Sequence, residues 1–383
     1  MRVSKESPIR VMRIIARMNV GGPAVQVSGL MRGLDPQVFE HRLYTGFCSP
    51  DEADYLKTVA TDVRATFING LGRRISLIED LKAFFSLVKE IRSFKPHIIH
   101  THTAKAGFLG RIASLVSLQP SIRVHTFHGH LLNGYFGVFK RRLVVIAEQV
   151  LAIFSNQLLA VGDKVRMDLL AEKIGCLEKF AVMPPGLDLG RLPSKASARE
   201  FYGLSMTTLQ CALIGRVTQI KRPDRFLEVV TGIANEGIPI EFLIAGDGEL
   251  LNVCREQIEL NELPIKVLGW QSDIRMVLAA SDIVILTSDN EGTPLSLIQA
   301  GMAGLPVVAT KVGSISEVVI DGQTGILTSL RTEDITNALI KLASDPKLRQ
   351  ELGGKAQEFT MANFGLSRLV LDHEELYTKL LAI

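Results

Sequence analysis

The stretch Asp282–Thr310, DIVILTSDNEGTPLSLIQAGMAGLPVVAT, leaves a chain few ways to fold. Asp282 to Leu286 is a short apolar, β-branched run of the kind that fills a strand covered on both faces. A polar loop follows, then an apolar-periodic segment from Leu295 to Met302. Pro294 suits the first turn of a helix, where its missing N–H would have had no partner. Gly304 and Pro306 stop that helix, and Val307, Val308 and Ala309 begin another strand. Strand, loop, helix and strand in this order is the crossover unit of a parallel α/β sheet. The loop lies where free N–H groups and the positive end of the helix dipole favour an anion such as a diphosphate. Two side chains stand out there. Glu291 precedes the helix start, and Gln299 lies eight residues on. Taken alone, Glu291 reads equally well as a partner of the helix dipole, and Gln299 as a surface amide.

The same alternation runs through the rest of the chain. Strands are expected at Arg10–Ile15, His41–Thr45, Arg64–Ile68, Ile122–Thr126, Gln157–Gly162 and Cys211–Arg216, with helices at Leu77–Phe94 and Val138–Phe154 among those between and after them. At 383 residues the chain exceeds one ordinary core, so two domains are expected. The Pro- and Gly-rich run from Pro184 places their boundary near Gly190. Charge divides there too. Residues 1–190 hold 25 basic and 16 acidic side chains, net +9, while residues 191–383 hold 18 and 24, net −6. A basic first half facing a polyanion suggests an anionic membrane. Nucleic acid is disfavoured because the basic residues do not alternate with aromatics. Cys48, Cys176, Cys211 and Cys254 are far apart, as expected of reduced thiols in a cytoplasmic protein. The N-terminal MRVSKESPIR lacks the apolar core of a signal peptide, and no window is apolar enough to span a bilayer.

Several loops after strand ends carry candidate chemistry. Gly21 and Gly22, between the first strand and first helix, permit close backbone approach, although a plain tight turn fits as well. They do not form the dinucleotide fingerprint, which disfavours a nicotinamide dehydrogenase. HIIHTHTAKAG places His102 and Lys105 near a helix start. TFHGHLLNGYF places His128, His130 and Tyr135 past a strand end, a polar substrate-facing loop rather than a zinc site, because no Cys or carboxylate completes a ligand set. Val138–Phe154 reads as a largely buried helix, with a competing interfacial reading for its start at Lys140–Arg142. In the second half, Arg216 at a strand end and Lys221 before a helix could hold a diphosphate together. Gly246 and Gly248 permit close approach of a ligand, and Asp247 caps their turn.

Taken in order, GG after the first strand, TFHGHLLNGYF, PPGLD, GRVTQIKRPDRFLEVV, AGDGEL, LGW and SDIRMVLAASDIVILTSDNEGTPLSLIQAGMAGLPVVATKVGSISEVV span nearly the whole chain. In this set and order the sequence resembles the family-4 retaining glycosyltransferases of the GT-B fold, particularly bacterial members that build O-antigen, capsule or other surface polysaccharide. The resemblance implies an α/β fold of two Rossmann-like domains with parallel sheets facing across a cleft. These would be an acceptor-binding domain at 1–190, a nucleotide-sugar-binding domain at 191–365, and a helix at 366–383 crossing back to the first. It also implies site roles. Arg216 and Lys221 would contact the donor diphosphate. Gly292, Thr293 and Leu295 would offer backbone N–H groups, and Glu291 would bind sugar hydroxyls. Gly246, Asp247, Leu268 and Trp270 would lie near the base. His128 would stand beside the transferred sugar, with Gly21 and Gly22 closing onto the diphosphate. His102, Lys105, His130 and Tyr135 are assigned to the acceptor side. One position departs from the family pattern: the ribose-binding Glu of the E-x7-E spacing is Gln299 here, which loses the charge-assisted part of that contact.

The expected reaction is transfer of a hexose or N-acetylhexosamine from a nucleotide-sugar, expected to be UDP-linked, to a saccharide acceptor carried on a lipid diphosphate. It needs no metal or other cofactor, because fixed cations meet the leaving charge and no Asp-x-Asp motif is present. The protein is expected to be cytoplasmic and peripheral on the inner face of the plasma membrane. Two rivals remain: a nucleotide-sugar 2-epimerase of the same fold, and a non-catalytic sugar-nucleotide-binding subunit, the latter motivated by Gln299.

Overall fold

The computed structural model describes residues 7–50, 52–129 and 138–382. It divides into two units, Met1–Leu187 with Gly365–Ile383, and Asp188–Phe364.

The first unit is built on a seven-stranded parallel sheet. Its strands are β1 (Ile9–Arg17), β2 (Phe39–Gly46), β3 (Ala65–Phe67), β4 (Ile98–His102), β5 (Ile122–Phe127), β6 (Gln157–Ala160) and β7 (Phe180–Val182), ordered β3-β2-β1-β4-β5-β6-β7. Because side chains alternate along a strand, one face carries Met12, Ile14 and Ile99, covered by the helices Leu77–Phe94 and Ala104–Val116. The other face carries Ile9, Val11, Ile98 and Val124, packed against Leu30 of the helix Gly22–Gly33, its cap Leu34, and Leu369, Tyr377 and Leu381 of the helix Leu366–Leu381. The last helix of the chain thus completes the core that the first strand begins.

The second unit repeats the plan with six parallel strands. These are β8 (Leu209–Ile214), β9 (Ile240–Ala245), β10 (Ile265–Gly269), β11 (Ile283–Leu286), β12 (Val307–Thr310) and β13 (Gly325–Thr328), ordered β10-β9-β8-β11-β12-β13. β11, whose sequence is IVIL, is buried along its whole length, as the apolar run requires. In each sheet the order reverses next to the first strand, between β1 and β4 and between β8 and β11. Ligands of open α/β sheets settle at the carboxyl ends of strands at such a reversal.

Three local expectations are revised. The strand expected to reach Arg216 ends at Ile214. Gly215 N–H donates to Ala245 O, and its φ of +148° turns the chain away, so Arg216 lies in the loop. Pro294 is the cap of the helix Leu295–Met302 rather than part of its first turn, its ψ of 113° being extended. The helix Val138–Phe154 is buried on one side only: Val145, Leu151 and Ala152 are inside, while Leu143, Ile146, Val150 and Ile153 face solvent. Among the described residues no helix is long and apolar enough to cross a membrane, and all four cysteines are free thiols.

Candidate active site

In the second unit, β8 and β11 are neighbours, so the loops that leave their ends lie side by side although 70 residues separate them. Polar bonds knit the two loops together. Thr287 Oγ1 donates to Lys221 O and Arg222 O at 3.0 and 3.1 Å, and Asp289 N–H donates to Ile220 O at 2.9 Å. Arg225, buried, donates to Thr287 O at 2.6 Å and to Asp289 at 2.7 Å. This brings Lys221 Nζ to 2.5 Å from Glu291 Oε1, which also accepts from Ser288 Oγ at 2.5 Å. Glu291 is buried and Lys221 partly exposed. The carboxylate is therefore a fixed acceptor and the ammonium a fixed cation at the lip of the sheet. Neither Glu291 Oε2 nor the exposed Arg216 guanidinium has a side-chain partner among the described residues.

Beyond Glu291 the chain enters the helix Leu295–Met302. The first helical N–H groups, those of Leu295 and Ser296, find no acceptor among the described residues, leaving a donor pair at the dipole's positive end. Gly292 and Thr293 are partly exposed in the approach. Gln299 is half-buried on the second turn, and its amide makes no hydrogen bond among the described residues.

In the Gly-Asp-Gly turn after β9, the close approach the glycines permit is taken up by backbone. A Cβ on Gly246 would lie 1.8 Å from Gly215 O, and one on Gly248 2.3 Å from Val217 O. The glycines admit the backbone of the Arg216 loop, and Val217 N–H donates to Asp247 O at 2.9 Å. Asp247 Oδ1 accepts from Gly248 N–H. Leu268 is the penultimate residue of β10, whose last residue Gly269 accepts through its O from Gly246 N–H, and Trp270 is exposed just past it.

In the first unit the strand ends carry a polar stripe. Arg13 of β1 pairs in register with His100 of β4, and Thr126 of β5 with His102. By the period of two, His100 and His102 share one face, and His128 follows Thr126 on it. Arg13 is fully buried, and its Nη1 lies 3.3 Å from His100 Nδ1. Tyr377 OH is 2.6 Å from the same nitrogen, and His100 Nε2 is 2.7 Å from Thr126 Oγ1. A guanidinium only donates, so His100 Nδ1 is the acceptor and Nε2–H faces Thr126. His102 stacks on His100 with ring centroids 4.3 Å apart, and His102 Nδ1 shares a hydrogen bond with His128 Nε2 at 2.9 Å. Burial pushes His100 and His102 well below the usual imidazole range, with neighbouring His and Arg13 charges adding to it. Burial alone lowers His128 to about 3. All three rings are neutral at pH 7.

The acceptor-side expectations fare differently. His102 is fully buried and reaches outward only through His128. Lys105 is occupied: its Nζ donates to Gly70 O at 2.6 Å and Arg74 O at 2.5 Å and pairs with Asp80 at 2.6 Å. His130 and Tyr135 lie outside the described residues. Gly21 caps the helix Gly22–Gly33, and a Cβ there would meet nothing nearer than Asn19 O at 4.0 Å, so this turn is open. Sequence reasoning missed Arg13, Ser288 and Tyr377. A lone charge within the apolar run VMRIIA was the signal for Arg13; the others gave none, since their partners lie on other elements or in the turn itself.

Comparison with known proteins agrees along the chain. Residues 20–191 match the family described as Glycosyltransferase Family 4, and residues 194–359 match Glycosyl transferases group 1. The chain is 34% identical over 309 residues to the UDP-Gal:alpha-D-GlcNAc-diphosphoundecaprenol alpha-1,3-galactosyltransferase of Escherichia coli, covering 77% of this chain and 78% of that one. It is 22% identical to the capsular polysaccharide biosynthesis glycosyltransferase CapM of Staphylococcus aureus, over 81% of this chain and 83% of the other. Among solved structures, Anabaena Alr3699/HepE in complex with UDP superposes with a TM-score of 0.80 at 19% identity, over 97% of this chain and all of that one.

Proposed function

The chain belongs to the family-4 glycosyltransferases of the GT-B fold, and we propose that it transfers a hexose or N-acetylhexosamine from a UDP-sugar, with retention, to a saccharide on a lipid diphosphate. The observation that carries this reading is the Lys221–Glu291 pair beside the helix start at the β8/β11 reversal. Departure of the diphosphate builds negative charge on its oxygens and positive charge on the sugar ring. Lys221 and the N–H groups of Leu295 and Ser296 are preorganised donors for the first, and the exposed Arg216 guanidinium in the adjoining loop is a further cation for it. Glu291, held by Lys221 and Ser288, accepts from sugar hydroxyls. His128 is assigned to the transferred sugar, where a neutral imidazole donates or accepts without adding charge.

In the proposed step the acceptor oxygen attacks the anomeric carbon on the face that the phosphate leaves. The new C–O bond forms as the C–O(phosphate) bond breaks, and the acceptor proton passes to the departing phosphate, giving UDP and the α-linked product from an α-linked donor. The fixed cations supply the charge that a divalent metal supplies elsewhere, so the reaction runs without one. A lipid-linked acceptor places the enzyme at the inner face of the plasma membrane. The E. coli relative, named for transfer to a GlcNAc-diphosphoundecaprenol, supports that acceptor class.

The test is a panel of UDP-sugars against lipid-diphosphate-linked saccharides, with products read by mass spectrometry and anomeric configuration by NMR. An inverted linkage, or a donor altered without acceptor, overturns the reading. Gln299 favours one second reading, a donor-binding subunit without turnover; binding without product, with turnover restored by Gln299→Glu, would establish it.

A further inference from the structure

The helices Leu77–Phe94, Ala104–Val116 and Val138–Phe154 form the layer on one face of the first sheet, with Ala104–Val116 between the other two. A helix in such a layer normally turns polar residues outward. These three do not. Leu77–Phe94 buries Ala83, Leu87, Ile91 and Phe94 against the sheet, yet leaves Leu77, Ile78, Leu81 and Phe85 exposed by 85, 68, 53 and 61%. The central helix exposes Phe108 and Val116, and the third exposes Leu143, Ile146, Val150 and Ile153, a repeat along one outer face. Exposed apolar surface of this extent marks a site of contact.

Charge identifies the partner. Lys82 and Lys89 follow Ile78 and Phe85 by four residues, so they flank the apolar row, and Arg73 and Arg74 precede it; all four are exposed, with Lys82 paired to Glu79 at 2.8 Å and Arg73 3.7 Å from Glu52. The loop leading into the row is fixed in place by Lys105, whose ammonium ties Gly70 O and Arg74 O to Asp80 in the helix's first turn. Ile75, 83% exposed, stands on that loop. An apolar row bordered by lysine and arginine is the pattern of a helix lying in a bilayer interface, its apolar side chains among acyl chains and its cations at lipid phosphates. A second copy of the chain is a poorer occupant, because a twofold contact would set the same basic residues of a net +9 region against themselves.

We propose that the outer face of this helix layer, centred on Leu77, Ile78, Leu81 and Phe85, docks the protein on an anionic lipid surface. The proposal rests on the lipid-linked acceptor read above, and centres the contact on the Leu77–Phe94 helix, where the exposed apolar row lies, rather than on Lys140–Arg142.

The experiment is flotation of the whole protein, without substrates, on vesicles of phosphatidylcholine alone or mixed with phosphatidylglycerol. The expected result is binding to the mixed vesicles, reduced about tenfold or more by Leu77→Gln/Phe85→Gln and by Lys82→Ala/Lys89→Ala. These exposed positions leave transfer to a water-soluble acceptor unchanged, which separates failure of docking from failure of the enzymatic reading. Equal binding of wild type and both variants, or no binding by wild type, overturns the proposal. So does a wild-type dimer that the Leu77→Gln/Phe85→Gln change converts to monomer without any vesicle binding.

Discussion

His102 Nδ1 lies 2.9 Å from His128 Nε2, and His102 is fully buried while His128 is not. The buried ring holds the outer one in orientation and withholds water from its inner nitrogen. His102→Ala is expected to lower kcat about 100-fold with a smaller change in KM for the nucleotide-sugar. It also admits water to His128, whose pKa then rises from about 3 toward the ordinary imidazole value. The variant should lose activity as pH falls through about 6.5, a limb the wild type lacks. Superimposable pH profiles would refute this role.

The same burial makes the first unit sensitive to acid. His100, His102, His125 and His373 are fully buried, with burial the largest cause of each lowered pKa. Their folded-state pKa values lie below the unfolded value of about 6.5, so the unfolded chain binds more protons as pH drops. Stability is full above that value and is lost on descending toward the folded values, about 3 for His373. Thermal melts should show Tm falling steeply between pH 7 and 5. A flat Tm over that window would count against neutral burial of these rings.

Lys221 and Glu291 form one unit, so their losses should overlap. Lys221→Ala and Glu291→Ala are each expected to lower kcat/KM by about 10²–10³ without unfolding the protein. The double variant should be little worse than either single one, because the two side chains share one hydrogen bond. Steady-state kinetics with circular dichroism as the folding control checks this. Near-normal turnover in either single variant would remove the pair from the mechanism.

Gln299 is half-buried on the helix Leu295–Met302. If position 299 meets the donor's ribose as the family resemblance implies, Gln299→Glu supplies a charged acceptor there, and should lower KM for the donor about fivefold while leaving kcat nearly unchanged. Calorimetric titration with UDP measures the binding part directly. Weaker UDP binding in the variant would show that the amide is matched to a different contact.

Gly246→Ala tests whether the turn after β9 serves packing or ligand access. With Gly215 O 1.8 Å from the new methyl carbon, backbone must move, and a loss of about 2–4 kcal/mol is expected from denaturant unfolding. A stable variant with impaired UDP binding would instead place a ligand against this glycine.

How much of this could be read from the residues depends on the range of the interaction. IVIL between polar turns identifies a buried parallel strand from its own composition, and Glu291 just ahead of a helix start is suspicious on local grounds. The Lys221–Glu291 contact needs sheet order, which places β8 beside β11 and which no local pattern encodes. Arg13 and Tyr377 are further beyond reach. Their meeting at His100 joins positions 277 residues apart, and depends on the chain returning to its first sheet at the end. Lys105 misled because a lysine after a strand end has the same sequence signature whether its ammonium meets a substrate or two carbonyls and a carboxylate.

That return has a consequence for how the protein is made. The sheet face carrying Val11, Ile98 and Val124 is sealed by Leu369, Tyr377 and Leu381, which follow the whole second unit in the chain. The second unit, residues 188–364, is contiguous and is fully synthesised before the seal arrives. The first unit therefore waits, its sheet half covered, while a complete domain emerges behind it. The first unit is the earlier of the two to be made and the later to be closed.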